Sequence, residues 1–430
     1  MVNLITAVCK YIMILVAVFY TIGSLMVLRK KGNDDVRWNF YKQNILAILF
    51  HAVAYFVIIL NNQTVEMLLF YLAQVLFFIL FLTIYRAVYQ NCYSPLLSNM
   101  VMLMAIGLPM LTRLGYDKAK KQFIIICASA ILTLVVPKFV RKLKAAKVWA
   151  GTIGIIGLLL LTLVLVIGKI SYGAKLSIGI GGFSFQPSEF VKISFVLMVA
   201  VLFRNRNDFK RVVFATGIAA VHVLVLVMST DLGGALIFFV TYLCMLYVAT
   251  KNSIYVFCGL ASGSVAAVVA YQLFNHVRER VYAWRDPWSI IDDKGGQIAQ
   301  SLFAIGTGGW FGSGLYLGMP NRIPVAIRDY TFSAISEEMG GIVAFCLTLI
   351  CISCFIMFIK IASSINVKFY KLIGLGLATL YGVQVFLTIG GVTKFIPSTG
   401  VTLPLVSYGG SSILSTFILF GFMQGLYIMV

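Results

Sequence analysis

RVYAWRDPW (residues 280–288), GGQIAQSLFAIGTGGWFGSGLYLG (295–318) and IPVAIRDYTFSAISEE (323–338) form one polar, glycine-punctuated stretch between long apolar segments. A loop of this length with its own apolar period (Ile298, Leu302, Ile305) is uncommon without a function, and loops are where sites concentrate. Around it, hydrophobic residues make up 61% of the 430 and charged ones 11%. Too few polar side chains remain to cover a water-facing surface, so the chain reads as an all-α polytopic membrane protein. A span needs about twenty apolar residues, and such runs predict thirteen: 4–28, 43–60, 65–85, 96–112, 122–138, 148–169, 190–203, 211–228, 231–249, 253–273, 331–359, 370–390 and 407–429. The first is read as a permanent helix, since its apolar core is long, its basic flank follows it and no small-residue cleavage site ends it.

The net charge of +20 sits in short loops between spans, where it sets orientation; nucleic acid is therefore excluded as the partner. Placing RKKGNDDVR (29–37), PKFVRKLKAAK (137–147) and RNRNDFKR (204–211) in the cytoplasm leaves only Asp34, Asp35 and Asp208 of the 14 acidic residues inside. The chain then runs from an outside N-terminus to a cytoplasmic C-terminus, with the large loop 274–330 extracellular. The eight cysteines fall mostly on apolar helix positions, where thiols pack as small hydrophobes. Cys351 and Cys354 have redox-like spacing but lie mid-helix, without the polar, exposed setting of a reactive thiol. Three scattered histidines, His51, His222 and His276, make no zinc site.

Four polar segments interrupt the apolar rhythm, all on the predicted outer side. In GAKLSIGIGGFSFQPSEFVK (173–192), Pro187 and Ser188 suit a helix start. Glu189 and Lys192 lie one turn apart close to the membrane, where ions are costly unless paired or functional. In STDLGGAL (229–236), Asp231 either caps the next helix or faces a site. FIPSTGVTLPLVSYGGSS (395–412) places glycines and hydroxyls before a helix, fit either for phosphate contact or for close helix packing. The large loop itself places Asp329 at a membrane boundary among cations, as a carboxylate base or cation ligand.

Taken together and in this order, QPSEFVK, DLGGAL, DPW with GGQIAQSLFAIGTGGWFGSGL, IPxxxxDYTFSAISEEMG and PSTGVTLPLVSYGGSS resemble the SEDS family (shape, elongation, division and sporulation; the RodA, FtsW and SpoVE type). The likeness covers residues 94–430 as a ten-helix core; residues 1–93 are three extra N-terminal transmembrane helices outside it. The resemblance implies a peptidoglycan glycosyltransferase in the bacterial cytoplasmic membrane, polymerising lipid II, a polyprenyl diphosphate-linked disaccharide peptide, at the outer face. It implies a class B penicillin-binding protein transpeptidase as partner and no certain cofactor, with a divalent cation left open. Asp329 matches the family's essential acid. Arg280, Lys192, Glu189, Gln186, Lys175, Gln297, Asp231, Lys394, Ser407, Gly409, Gly410 and Ser411 are the expected substrate-binding residues, and Arg285 is a further outer cation. Arg328 is expected to keep Asp329 ionised, because a neighbouring cation lowers a carboxylate's pKa. Leu176-Ser177, Ser229-Thr230 and Val325-Ala326-Ile327-Arg328 depart from the family pattern. The alternatives are a lipid II transporter, or a catalytically weak scaffold that activates a cell-wall synthase.

The charge split yields a direct test of orientation. In a thiol-free background, single cysteines at Ser289 and Ser398 should be labelled from outside intact cells. One at Asn207, in the densest basic loop of the core, should not; labelling there would reverse the topology.

Overall fold

The computed structural model describes residues 2–29, 33–143, 147–171, 174–180, 183–204, 207–292 and 295–429. Ten helices come first: α1 (Val2–Val27), α2 (Asn33–Asn62), α3 (Val65–Val88), α4 (Ser94–Leu114), α5 (Tyr116–Lys142), α6 (Lys147–Ile167), α7 (Ser188–Leu202), α8 (Phe209–Met228), α9 (Leu232–Thr250) and α10 (Ser253–Leu273). The large loop carries α11 (Asn275–Arg285), α12 (Gly296–Gly308) and a 3-10 turn at Pro320–Arg322. The chain ends with α13 (Thr331–Glu338), α14 (Gly341–Ser364), α15 (Lys368–Val392) and α16 (Gly410–Ile428). Among the described residues, eleven helices are long and apolar enough to cross a membrane, and the apolar part of α6 and the whole of α7 are shorter.

The helical membrane architecture expected from the sequence is the one observed, with two local differences. Residues 169–185 hold a small antiparallel sheet, β1 (Lys169–Ser171), β2 (Ala174–Ile180) and β3 (Phe183–Phe185), in the order β1-β2-β3. Gly179 stands opposite Ser184, and Ile170 opposite Lys175. The expected span 331–359 is broken: α13 stops at Glu338 and α14 starts at Gly341.

Close backbone packing accompanies the break. Gly312 and Gly340 both take positive φ, +75° and +99°, a region that L side chains rarely enter. A Cβ on Gly312 would stand 2.6 Å from both Glu338 O and Gly340 N; one on Gly340 would stand 2.6 Å from Gly312 N. The chain at 308–314 thus lies directly on the chain at 336–341. Its peptide groups pair across that contact, Ser313 N to Glu337 O and Gly314 N to Glu338 O at 2.9 Å each, and Gly341 N to Gly309 O at 2.9 Å. Irregular backbone at membrane depth persists only when its polar groups are met inside the protein, and here two irregular segments meet each other's.

The core is one continuous cluster that includes α1–α3: α1 packs on α2 and α14, and α2 on α4. Helix α4 is buried over its whole apolar window and α10 not at all, so α4 is the central post and α10 the lipid-facing edge. Helix α7, with 15 residues, is about 22 Å long, short of the roughly 30 Å of hydrocarbon. A recess lies at its N-terminal end, lined by Ser188, Glu189 and Lys192. Cys351 and Cys354 are free and buried in α14, as packing groups.

Gly312→Ala should lower the unfolding temperature of the purified protein by the equivalent of about 1–2 kcal/mol for the left-handed backbone alone, and further through the backbone clash. Gly306→Ala, in α12 with nothing within 4 Å of the added Cβ, should leave it unchanged or raise it. Thermal unfolding of the two variants side by side checks this.

Candidate active site

The recess above α7 is a cavity of about 320 Å³, walled by α5, α7, α9 and α11 and by the segments 325–329 and 399–412. Asp329 stands on its wall, half-buried, beside Gly400, whose φ is +73°. A Cβ on Gly400 would lie 3.7 Å from Asp329 Oδ2 and 3.9 Å from Arg280 Nη1, so carboxylate and guanidinium flank one glycine. Arg280 Nη1 donates to Ser398 O at 3.0 Å, which fixes the guanidinium at the rim. Burial pushes the Asp329 carboxyl above the ordinary carboxylate range, and Arg328 and Arg280 pull it only part of the way back. Arg328 thus acts in the expected direction, toward the ionised carboxylate, but desolvation outweighs both cations. Arg328 sits over the Tyr408 ring, 5.9 Å from its centre.

Beneath the cavity lies a paired polar layer. Lys192 Nζ donates to Glu189 Oε2 and to Gln384 Oε1, each at 2.9 Å, and Ser415 Oγ donates to the same Glu189 oxygen at 2.9 Å. Gln384 Nε2 in turn donates to Thr402 O at 3.1 Å, tying α15 to the segment before α16. Asp231 does cap α9, accepting from Gly234 N at 2.8 Å, and its other oxygen accepts from Ser188 Oγ at 3.4 Å. The same carboxylate also lines the cavity.

Of the residues singled out from sequence, Gln186, Glu189, Lys192, Asp231, Arg280, Asp329, Gly409, Gly410 and Ser411 come together on this wall. Gln297 does not: it is exposed on α12. Lys394 sits in the turn after α15, where its carbonyl accepts from Trp284 Nε1 at 3.1 Å. Ser407 is buried below the wall, its hydroxyl accepting from Leu403 N at 3.2 Å, so it braces the turn. Arg285 is exposed on α11, outside the cavity. Lys175 is on β2, and its side chain lies outside the described residues. Two backbone donors of SYGGSS are used within the protein: Tyr408 N on Ile327 O at 2.9 Å and Gly409 N on Gln122 Oε1 at 3.1 Å.

Lys121, Gln122, Thr402 and Gln384 escaped the sequence reading. Gln122 is fully buried and holds the turn from both sides, its Nε2 donating to Ser407 O at 2.9 Å while its Oε1 accepts from Gly409 N. A polar residue at an otherwise apolar helix position was the available signal for Gln122 and Gln384. Lys121, in the basic run of Lys118, Lys120 and Lys121, looks like an ordinary flanking charge. Among the described residues, Lys121, Lys192, Arg280 and Arg328 are the cations that line the wall. The arrangement offers a half-buried carboxylate with a raised pKa and several cations around one cavity.

The sequence pattern of the FtsW/RodA/SpoVE cell cycle proteins matches residues 92–427. Among relatives, the peptidoglycan glycosyltransferase RodA of Mycobacterium tuberculosis is 38% identical over 263 residues, 57% of this chain and 56% of that protein. Stage V sporulation protein E of Bacillus subtilis is 34% identical over 283 residues, 62% of this chain and 75% of that one. The chain thus spans little more than half the length of the mycobacterial relatives it matches. Among solved structures, one titled as a peptidoglycan synthase complex superposes with a TM-score of 0.69 at 24% identity, covering 78% of this chain and 97% of the other. Thermus thermophilus RodA does so with 0.61 at 22%, covering 79% and 97%. The fold and site define a multi-pass membrane protein with a half-buried acid on a cavity wall. The chain belongs to the FtsW/RodA/SpoVE family, the SEDS proteins that its motifs resemble.

Removing one partner of a buried ion pair costs about 3–5 kcal/mol, because the other charge is stranded. With side chains only 5% and 11% exposed, Lys192→Met should lower the unfolding temperature sharply. Adding Glu189→Gln should recover part of the loss, and a strictly additive pair in thermal unfolding would contradict the coupling.

Proposed function

We propose that this chain is a peptidoglycan glycosyltransferase that polymerises lipid II at the outer face of the cytoplasmic membrane. The observation that carries the reading is Asp329, half-buried on the wall of the cavity and flanking the same glycine as Arg280. The names of the RodA and FtsW relatives support it. In the reaction, the hydroxyl oxygen of the acceptor sugar bonds to the anomeric carbon of the donor, and the bond from that carbon to the diphosphate oxygen breaks. Asp329 takes the hydroxyl proton, and the diphosphate leaves with the electron pair. A base with a pKa raised toward the working pH suits this task, since Brønsted behaviour rewards that match. Arg280, Lys121 and Arg328 receive the developing negative charge, a term that preorganised cations supply at little reorganisation cost. Lys192 is already committed to Glu189 and Gln384, and we give it the role of holding the cavity floor.

Among the described residues, no three His, Cys, Asp or Glu side chains cluster to hold a metal, and no step is assigned to one. The charge asymmetry supports an outside N-terminus, a cytoplasmic C-terminus and an extracellular cavity. A single-span class B penicillin-binding protein is the proposed partner, as the transpeptidase that would cross-link the product; co-purification from native membranes tests it. The N-terminal helices (1–93) and the core (94–430) are proposed as two parts of one packed body.

Incubation of purified protein with labelled lipid II should give glycan ladders. Asp329→Asn should abolish them, a loss of about a hundred- to ten-thousand-fold, with lipid II binding retained. Asp286→Asn and Asp292→Asn, exposed outside the cavity, should do far less. Ladders at the normal rate from Asp329→Asn would exclude it as the base.

The wild-type rate should also fall on acidification at a higher pH than an ordinary carboxylate predicts, because only ionised Asp329 can accept the proton. Arg280→Gln removes a cation that lowers this pKa, so it should move the acidic limb of the pH–rate profile further up. A shift downward would contradict the assignment.

A further inference from the structure

The first three helices precede the family match, yet α1 and α2 touch the loop that leads to Asp329. Lys10 is the only charged residue of α1, and an ammonium within a membrane helix is costly unless its donors are met. Its Nζ donates to Gly312 O at 2.9 Å. One turn earlier, Thr6 Cγ2 lies 3.2 Å from where a Cβ on Gly314 would stand. Tyr11 packs tilted on Phe311, ring centres 5.9 Å apart. From the outer end of α2, Asn62 Nδ2 donates to the Tyr316 hydroxyl at 2.7 Å. Four contacts from two helices converge on residues 311–316.

The same short segment is bonded from behind to α13. Besides Ser313 N and Gly314 N, Tyr316 N donates to Glu338 Oε1 at 3.2 Å and Met319 N to Glu337 Oε1 at 2.7 Å. Arg113 completes the hub, its Nε 3.1 Å from Glu338 Oε1 and its guanidinium carbon 4.4 Å from the centre of the Tyr316 ring. Tyr316 has φ +71°, a conformation that persists in a non-glycine residue only when its surroundings over-determine it. Asn62 and Arg113 do that here. Helix α13 begins at Thr331, two residues after Asp329, and Thr331 Oγ1 donates back to Ala326 O at 3.0 Å. A continuous set of contacts therefore runs from α1 and α2 through 311–319 and α13 to the acid.

We infer that the N-terminal helices are a built-in brace for the catalytic loop, with Lys10 and Asn62 as positioning residues that hold 311–319 against α13 and so keep Asp329 at the cavity wall. The effect on turnover rests on the reading of Asp329 as the base; the brace itself does not. The test uses the full chain with Lys10→Met and Asn62→Leu combined. Hydrogen exchange at the amides of residues 313, 314, 316 and 319 should quicken by about tenfold, the equivalent of a lost charge-assisted hydrogen bond. Lipid II polymerisation should lose kcat several-fold with KM little changed, and restoring the cation as Lys10→Arg in the Asn62→Leu background should recover part of both. Glu66→Gln, at the exposed Glu66–Lys120 pair, should alter neither. Unchanged exchange at those amides overturns the brace whatever the activity, and faster exchange with undiminished kcat overturns the positioning role. If wild-type protein makes no glycan, the enzymatic reading fails by itself, while the exchange measurement still decides the brace.

Discussion

Peptide groups removed from water must find partners, and in this protein the end of the bundle that holds the cavity is arranged by that constraint. The chain at 308–314 and the chain at 336–341 approach so closely that only glycine fits at positions 312 and 340. Each supplies the hydrogen bonds that the other lacks. The contact ends α13, offsets it from α14, and orients the residues that precede α13. Asp329 is placed by this junction: a continuous helix through 331–359 would carry no docking seam for the loop and no fixed entry for the acid.

The charges follow a similar logic. A cavity sunk into an apolar bundle raises the cost of every ion in it, so the buried ones are paired. Glu189 and Lys192 satisfy each other with help from Gln384 and Ser415, and Glu338 is held by Arg113 and the Tyr316 amide. On the wall, the Asp329 carboxyl is pushed up by burial despite two guanidinium neighbours. Perturbed carboxylates beside a cleft are where proton transfer is expected. The short α7 and the turn before α16, forked by Gln122, provide the recess and its rim.

Much of the architecture was legible in the sequence because it depends on local composition. Apolar runs of span length, sided basic loops and polar interruptions at one side gave thirteen segments and their order, and Asp329 stood out as a carboxylate at a membrane boundary. Lys394, Gln297 and Ser407 carried the same outward signs, since residue type and loop position do not tell which way a short turn faces. The β1–β3 hairpin was hidden for a different reason: a few residues of period two carry little signal between a long helix and a proline-started one.

What the sequence determined by itself is therefore the helical class and the span order, properties written in windows of about twenty residues. Tertiary structure alone decided the break before Gly341, the union of Lys192 with Gln384, and the reach of Lys10 to Gly312 across 302 positions of chain. It also decided the direction of the Asp329 pKa, where nearby arginines in sequence argue one way and burial wins the other. Burial and backbone pairing are set by neighbours distant along the chain, and no local pattern of residues encodes which distant neighbour will arrive.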